Sequence, residues 1–222
     1  MDSVDRIIAI GDLHGCYYTM IDLFNKLNID FCRDKVIFLG DYIDRGLLPI
    51  KVIKTVKELQ QKHFNNVIAL KGNHCDMMVR YYFEQDPCWT WNGYKTTIGQ
   101  FEELSDWEQR ELLQWMKNLP LRYETENYRF CHAGYWPEGV DEYGYDKVLW
   151  NRDWLYDNRK SPTNSDKLVI FGHTPVNNPT WIDDKSLDID TGCVYGNMLT
   201  AAVIEEDKVT TVSVPRNEED AV

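Results

Sequence analysis

The chain has 222 residues, 43% of them hydrophobic, and a formal net charge of −12. This length and apolar share suffice for one substantial core in a single domain spanning 1–222, and the negative charge excludes a broad, sequence-independent grip on nucleic acid, which needs a cationic face. Six cysteines without a C-x-x-C pair or regular spacing suggest neither a zinc ribbon nor a disulfide framework and point to reduced thiols in a cytoplasmic protein.

The opening residues, Met1 to Arg6, show no basic leader followed by an apolar stretch, and no apolar run approaches membrane-spanning length, so a soluble chain with no membrane partner is expected. Ile7–Ile10 is then the first of five short apolar runs, each followed by a residue able to hold a metal ion or steer a phosphate. It precedes Gly11-Asp12-Leu13-His14-Gly15, residues 36–39 precede Gly40-Asp41-Tyr42-Ile43-Asp44-Arg45-Gly46, and residues 67–70 precede Lys71-Gly72-Asn73-His74. Tyr128–Cys131 precedes His132-Ala133-Gly134, and Leu168–Phe171 precedes Gly172-His173-Thr174. Short β-branched-rich runs of this kind read as buried strands.

Between the first runs, residues 16–27 place Met20, Leu23, Phe24 and Leu27 on one side, and Pro49–Lys62 does the same with Val52, Ile53, Val56 and Leu59. Both fit crossover helices of a parallel βαβ core. Residues 75–83 read as a third helix, starting directly behind Asn73-His74 and broken by Pro87. Residues 88–119 form a tryptophan-rich helical insertion, in which Trp107, Leu112 and Trp115 read as packing and Ser105 as the cap of a helix beginning at Asp106. After Pro120 the texture is mostly β. Residues 121–124 and Tyr128–Cys131 suit a hairpin, while 186–190, Met198–Glu205 and 209–214 suit strands closing a second sheet; the acidic residues 215–222 are expected to fray.

If the five runs lie side by side with aligned C-terminal ends, Asp, Asn and His side chains converge on one sheet edge, where α/β folds place their ligands. Asp12 and His14, two apart, point to the same side of an extended segment and can hold one ion together. Asp41 carries two oxygens and can bridge two ions, with Asn73, His132 and His173 completing the second site. Such mixed ligation suits Mn²⁺, Fe or Zn²⁺ better than Ca²⁺. Each motif alone has a bland reading: G-D-x-H-G as a turn with a satisfied core histidine, Gly-His-Thr as a common tripeptide, His63 as a solvated surface residue. Their joint occurrence, in order, is what points to a metal site.

Together these motifs resemble the signature of the phosphoprotein phosphatase branch of the calcineurin-like metallophosphoesterases, closest to the compact bacterial and bacteriophage serine/threonine phosphatases. The resemblance runs from Ile7 to about Val214. It implies an α/β fold, a four-layer α/β/β/α sandwich with mixed sheets, and two divalent metal ions, Mn²⁺ first, with Fe or Zn as alternatives. By matching positions, Asp12, His14 and Asp41 would hold one ion and Asp41, Asn73, His132 and His173 the other. Asp44 would orient His74, the proton donor to the leaving group, while Arg45 and Arg152 would bind the phosphate. For Arg152, within Leu149-Trp150-Asn151-Arg152, a structural salt bridge is the rival reading.

The implied reaction is metal-dependent hydrolysis of phosphoserine or phosphothreonine proteins by hydroxide formed from a metal-bridged water. The alternative is cleavage of symmetrical diadenosine tetraphosphate or another nucleotide anhydride, and a phospho-binding pseudo-enzyme ranks lowest. Asp44-Arg45 after Asp41 favours the protein phosphatases, because the nucleotide-cleaving branch typically lacks that Asp. Two positions depart from the pattern. Cys75 stands where the family usually has Glu, with Asp76 a possible substitute, and the thiol reads as buried and inert or else redox-sensitive. Tyr94 follows Trp91-Asn92-Gly93 where many relatives carry a second glycine, and is expected to alter the pocket mouth under a lid formed by 88–119. Oligomeric state is left open.

Overall fold

The protein is described by a computed structural model over residues 6–134, 145–156 and 166–221. Its strands are β1 (Ile7–Ile10), β2 (Lys35–Phe38), β3 (Val67–Ala69), β4 (Arg122–Glu124), β5 (Tyr128–Cys131), β6 (Leu168–Phe171), β7 (Thr180–Ile182), β8 (Ser186–Asp188), β9 (Met198–Glu205) and β10 (Lys208–Pro215). Its helices are α1 (Tyr17–Leu27), α2 (Pro49–Lys62), α3 (Asn73–Glu84), α4 (Lys95–Glu102), α5 (Asp106–Lys117), α6 (Tyr145–Trp150) and α7 (Asp153–Tyr156). Among the described residues no helix is long and apolar enough to cross a membrane.

Two mixed five-stranded sheets form, with strand orders β10-β9-β1-β2-β3 and β4-β5-β6-β8-β7. β1, β2 and β3 are parallel, with α1 and α2 as crossovers, as the sequence predicts. β4 and β5 form the expected hairpin pairing. The expectation that 186–190, Met198–Glu205 and 209–214 together close the second sheet holds only for β8. β9 pairs antiparallel with β1, and β10 with β9, so both extend the first sheet. Local pattern cannot make that choice for β9, because a strand buried on both faces fits either sheet, and the half-exposed β10 follows its partner β9.

Strand alternation sorts the core into layers. Ile8 and Ile10 of β1 and Val36 and Phe38 of β2 pack towards α1 and α2 with Met20, Leu23, Val52 and Val56. Their alternates Ala9, Ile37 and Leu39 face Phe130, Ile170 and Leu187 of the second sheet. Beyond that sheet, Cys131, Val169 and Phe171 pack with Trp154 of α7. The result is a four-layer α/β/β/α sandwich. Because β1, β2, β5 and β6 are buried on both faces, their side chains leave no room for a change of register, and the residues just past their ends are fixed in space.

The insertion holds a 3-10 turn (Pro87–Trp91), α4 and α5. Ser105 caps α5 in a full capping box with Glu108. Leu112 is buried and Trp115 packs on Tyr42 while its indole N–H donates to Gln60 Oε1 at 2.8 Å, but Trp107 is 68% exposed and is not a packing residue. At 3.6 residues per turn it lies about 140° from Leu112, off the buried stripe.

The acidic tail does not fray through Ala221; Val222 lies outside the described residues. α1 has no side-chain cap of its own at Cys16. The buried Asp220 carboxylate supplies it from the far end of the chain, accepting from the backbone N–H groups of Tyr18 (3.2 Å) and Thr19 (2.7 Å) and from the Thr19 hydroxyl (2.7 Å). A carboxylate at a helix N-terminus meets orphaned donors and the positive end of the helix dipole, and Asn217 adds hydrogen bonds to the Thr19 hydroxyl and the Asp22 carboxylate that tie the tail to the same helix. Replacing Asp220 by Ala strands these donors and is expected to cost about 1–3 kcal/mol, read as a Tm lowered by roughly 2–4 °C per kcal/mol in thermal denaturation; an unchanged Tm would refute the cap.

Candidate metal centre

The five motifs meet at one edge of the sandwich. Asp12 and His14 follow β1, Asp41, Asp44 and Arg45 follow β2, Asn73 and His74 open α3, and His132 and His173 follow β5 and β6. All of these except Arg45 are at most 5% exposed. Five of them, His14, Asp41, Asp44, Arg45 and His173, have left-handed backbone, with φ of 39°, 47°, 73°, 69° and 74°. That conformation is sterically costly for side chains with a Cβ and persists where surrounding structure enforces it. Two glycines make the approach possible. A Cβ on Gly72 would overlap the Asp41 carboxylate, and one on Gly46 would overlap the His14 carbonyl.

Two tight groups of donor atoms share Asp41: His14, Asp41 and His74, and Asp41, His132 and His173, each within 4.8 Å. Asp41 Oδ2 lies 3.4 Å from His14 Nε2 and 3.5 Å from His132 Nε2, while its Oδ1 accepts the His74 backbone N–H at 3.0 Å. His132 Nδ1 lies 3.0 Å from the Leu39 carbonyl, which can only accept, so in the neutral ring Nε2 is a lone pair. It faces Asn73 Oδ1 at 2.9 Å, and His173 Nδ1 faces the same oxygen at 3.0 Å, while the buried His173 Nε2 has no hydrogen-bond partner. His14 has the same tautomer, with Nδ1 on the Ile43 carbonyl at 2.7 Å, but its Nε2 lone pair accepts from the Arg45 guanidinium at 2.5 Å. Acceptors converging on one another in a buried space are what a cation relieves.

The charges agree with that fit. Burial alone would raise the Asp41 carboxyl, but His132, His74 and His14 hold it well below the usual carboxylate range. Burial pushes the His14 imidazole down against the pull of Asp41, and burial with the neighbouring His132 pushes His173 down. An ionised Asp41 and unprotonated rings at His14 and His173 are the states that bind metal. Asp12, by contrast, is pushed well up by burial and by Asp190 and Asp41. Its carboxylate accepts the His173 N–H (3.1 and 3.3 Å) and lies outside the two tight groups. Next to it lies a buried acid pair that sequence reading passed over. Asp190 is raised to about 6 by burial and Asp41, against a hydrogen bond from the Gly192 N–H, and Asp188 is raised by burial and Asp190. The signal was present in Ser186-Leu187-Asp188-Ile189-Asp190, a sixth strand end carrying acids.

His74 Nδ1 lies 2.6 Å from Asp44 Oδ2, in the arrangement expected for that pair. Arg152, exposed, sits beside the cluster with its guanidinium 3.5 Å from the His173 carbonyl. Trp150 meets the His173 ring edge-on at 6.0 Å. The Arg45 guanidinium also lies over the ring of Tyr195, 5.7 Å from its centroid, and Tyr195 is 62% exposed; sequence reading did not single it out. His63 stands apart, beside Phe31 and Cys32. Cys75 is fully buried, its thiol pushed up by burial and by Asp41, which is the inert reading. Asp76 is 4.0 Å from Lys71, whose ammonium donates to the Lys117 carbonyl at the end of α5, and the half-buried Tyr94 packs edge-on against Trp89 at the margin of the core.

A family model described as calcineurin-like phosphoesterase matches residues 5–212. The chain is 32% identical to the bis(5'-nucleosyl)-tetraphosphatase PrpE (asymmetrical) of Anoxybacillus flavithermus, over 93% of this chain and 92% of that protein. A crystal structure of a candidate diadenosine tetraphosphatase superposes with a TM-score of 0.73 at 20% identity, covering 97% of this chain and 95% of that one. A protein serine/threonine phosphatase from Saccharomyces cerevisiae, with similarity to human phosphatase PP5, superposes with a TM-score of 0.67 at 16% identity, covering 97% and 80%. The two structural likenesses speak to fold alone. With a matching family model over nearly its whole length and a buried edge where Asp, Asn and His donors converge, the chain belongs to the calcineurin-like phosphoesterase family, whose members use a pair of divalent metal ions.

Proposed function

We propose that the protein hydrolyses a phosphoanhydride bond of dinucleoside polyphosphates, with Mn²⁺ as the working metal. The observation that carries this reading is the end-to-end similarity to asymmetrical bis(5'-nucleosyl)-tetraphosphatases, which supports the nucleotide alternative over the protein phosphatase that the Asp44-Arg45 motif favours. The site supports it chemically: an exposed Tyr195 ring stands beside Arg45 at the edge of the donor cluster, offering a flat apolar face within reach of a cationic fork.

Asp12, His14 and Asp41 would hold one ion, and Asp41, Asn73, His132 and His173 the other. Bound there, two divalent ions supply Lewis acidity and lower the pKa of water towards neutrality. Arg45 and Arg152 flank the cluster, and their forked guanidinium groups match phosphate oxygens in a way an ammonium does not. Local cationic charge of this kind reconciles a polyanionic substrate with a net charge of −12. His74, held by Asp44, can give a proton to the departing oxygen. A nucleotide phosphate, whose second pKa is about 6, leaves with little help, whereas a serine alkoxide leaves only when protonated. The 2.6 Å His74–Asp44 contact is therefore the observation that keeps the second reading, a serine/threonine phosphatase. Either substrate is a water-soluble phosphate compound encountered in the cytoplasm, with no membrane involved.

Three outcomes are expected. In parallel assays with Mn²⁺, diadenosine tetraphosphate should be turned over with a kcat/KM above that of a phosphoserine peptide and yield AMP plus ATP; two ADP would indicate attack at the central anhydride, and a preference for the peptide would establish the phosphatase reading instead. Asp41→Asn should retain neither ion after gel filtration, by elemental analysis, and turn over at background. His74→Asn should keep both ions and slow alkyl phosphates by about 10²–10⁴-fold while affecting the tetraphosphate far less, and equal losses on both substrates would contradict the proton-donor role.

A further inference from the structure

The insertion at 88–119 reads in sequence as a lid. The structure puts three of its residues on the loop that carries Asp44 and Arg45. The Asp44 carboxylate accepts from the Thr97 hydroxyl at 2.7 Å through Oδ1 and from the Trp89 indole N–H at 2.9 Å through Oδ2, the same oxygen that His74 Nδ1 approaches at 2.6 Å. Thr97 Oγ1 also accepts the Asp44 backbone N–H at 2.9 Å, and the Gly93 carbonyl accepts the Arg45 backbone N–H at 3.0 Å. Asp44, Trp89 and Thr97 are all fully buried. Gly93 lies so near that a Cβ on it would stand 2.8 Å from Arg45 Cγ. The two residues held this way, Asp44 and Arg45, are the consecutive pair with φ of 73° and 69°.

From these contacts we infer that Trp89 and Thr97 are positioning residues: they hold the Asp44 carboxylate in the one orientation that aligns His74, and with Gly93 they keep the strained Asp44–Arg45 backbone in place. A carboxylate held through both oxygens, by Thr97 on one and by Trp89 and His74 on the other, cannot turn about its Cβ–Cγ bond without breaking all three contacts. Thr97 is suited to the task because one hydroxyl can donate to the side chain and accept from the backbone of the same residue. Trp89 is itself wedged among Tyr81, Tyr82 and Tyr94, at ring distances of 5.4, 6.2 and 5.6 Å, so its N–H has a fixed direction. This inference rests on the reading of His74 with Asp44 as the proton-donating pair.

The test is a comparison of Thr97→Val, Trp89→Phe, Thr97→Ser and His74→Asn in the full-length, Mn²⁺-loaded protein, on an alkyl phosphate and on a nitrophenyl phosphate, with metal content and Tm recorded. Val keeps the shape of Thr without its hydroxyl, and Phe keeps an aromatic ring without the N–H. Thr97→Val and Trp89→Phe should retain both ions and lose about tenfold or more in kcat on the alkyl ester while staying within about twofold on the aryl ester, with little change in KM. Thr97→Ser should restore the alkyl activity even if Thr97→Val has a lower Tm. If Thr97→Val loses equally on both esters or loses nothing, or if Thr97→Ser gives no rescue while His74→Asn remains selective for the alkyl ester, the positioning role is overturned and the proton-donor reading stands. If His74→Asn itself shows no selectivity, the proton-donor reading falls and this inference with it.

Discussion

The site is organised around one buried carboxylate. Asp41 is 2% exposed, yet three histidines keep it charged, and it is the member common to both donor groups. A lone carboxylate in so apolar a surrounding would neutralise itself by taking up a proton. The histidines around it come from separate elements: His14 follows β1, His132 follows β5 and His74 opens α3, the first two just past strands whose positions are set by side chains packed on both faces of the sheet. Gly72 has no Cβ because the Asp41 carboxylate occupies the space one would fill. The electrostatics of the centre and the packing of the sandwich are thus a single constraint: shift one strand by a residue and the alternation that buries Ile37 and Leu39 against the second sheet fails together with the cluster.

Around this centre the buried carboxyls disfavour one another's ionisation. Asp12, Asp188 and Asp190 are all raised by burial and by other carboxylates. Divalent cations are the natural counter-charge, and Arg45 and Arg152 stand at the rim of the cluster. A net charge of −12 disfavours a broad grip on an extended polyanion. The helical insertion is tied to this edge, because its buried Trp89 and Thr97 reach the loop that carries Asp44 and Arg45.

Much of this was legible in the residues. The five strand-end motifs, the crossover helices and the cap at Ser105 follow from short-range pattern, because a buried strand, a cap and a turn each need particular residue types at neighbouring positions; the pairing of His74 with Asp44, 30 positions apart, came only from the family resemblance. Three things were not. Trp89 looks like any core tryptophan until its indole N–H is seen on Asp44. Asp220 looks like the charge of a loose end until α1 is found without a cap of its own. The sheet membership of β9 and β10 has no local signature, since Ala201 and Val203 pack towards α1 while Ala202 and Ile204 pack towards the second sheet.

The sequence by itself therefore determined the chemistry: which side chains can ligate a metal, which can grip a phosphate, and that they stand just past the ends of buried strands, because periodicity and residue type are written locally. Only the tertiary structure decided which distant groups complete them, namely the indole and hydroxyl on Asp44, the acids beside Asp12, the tyrosine beside Arg45 and the tail on α1. Those pairings join residues tens to hundreds of positions apart. Packing geometry selects among many chemically equivalent partners, and nothing in the local pattern of either partner records the choice.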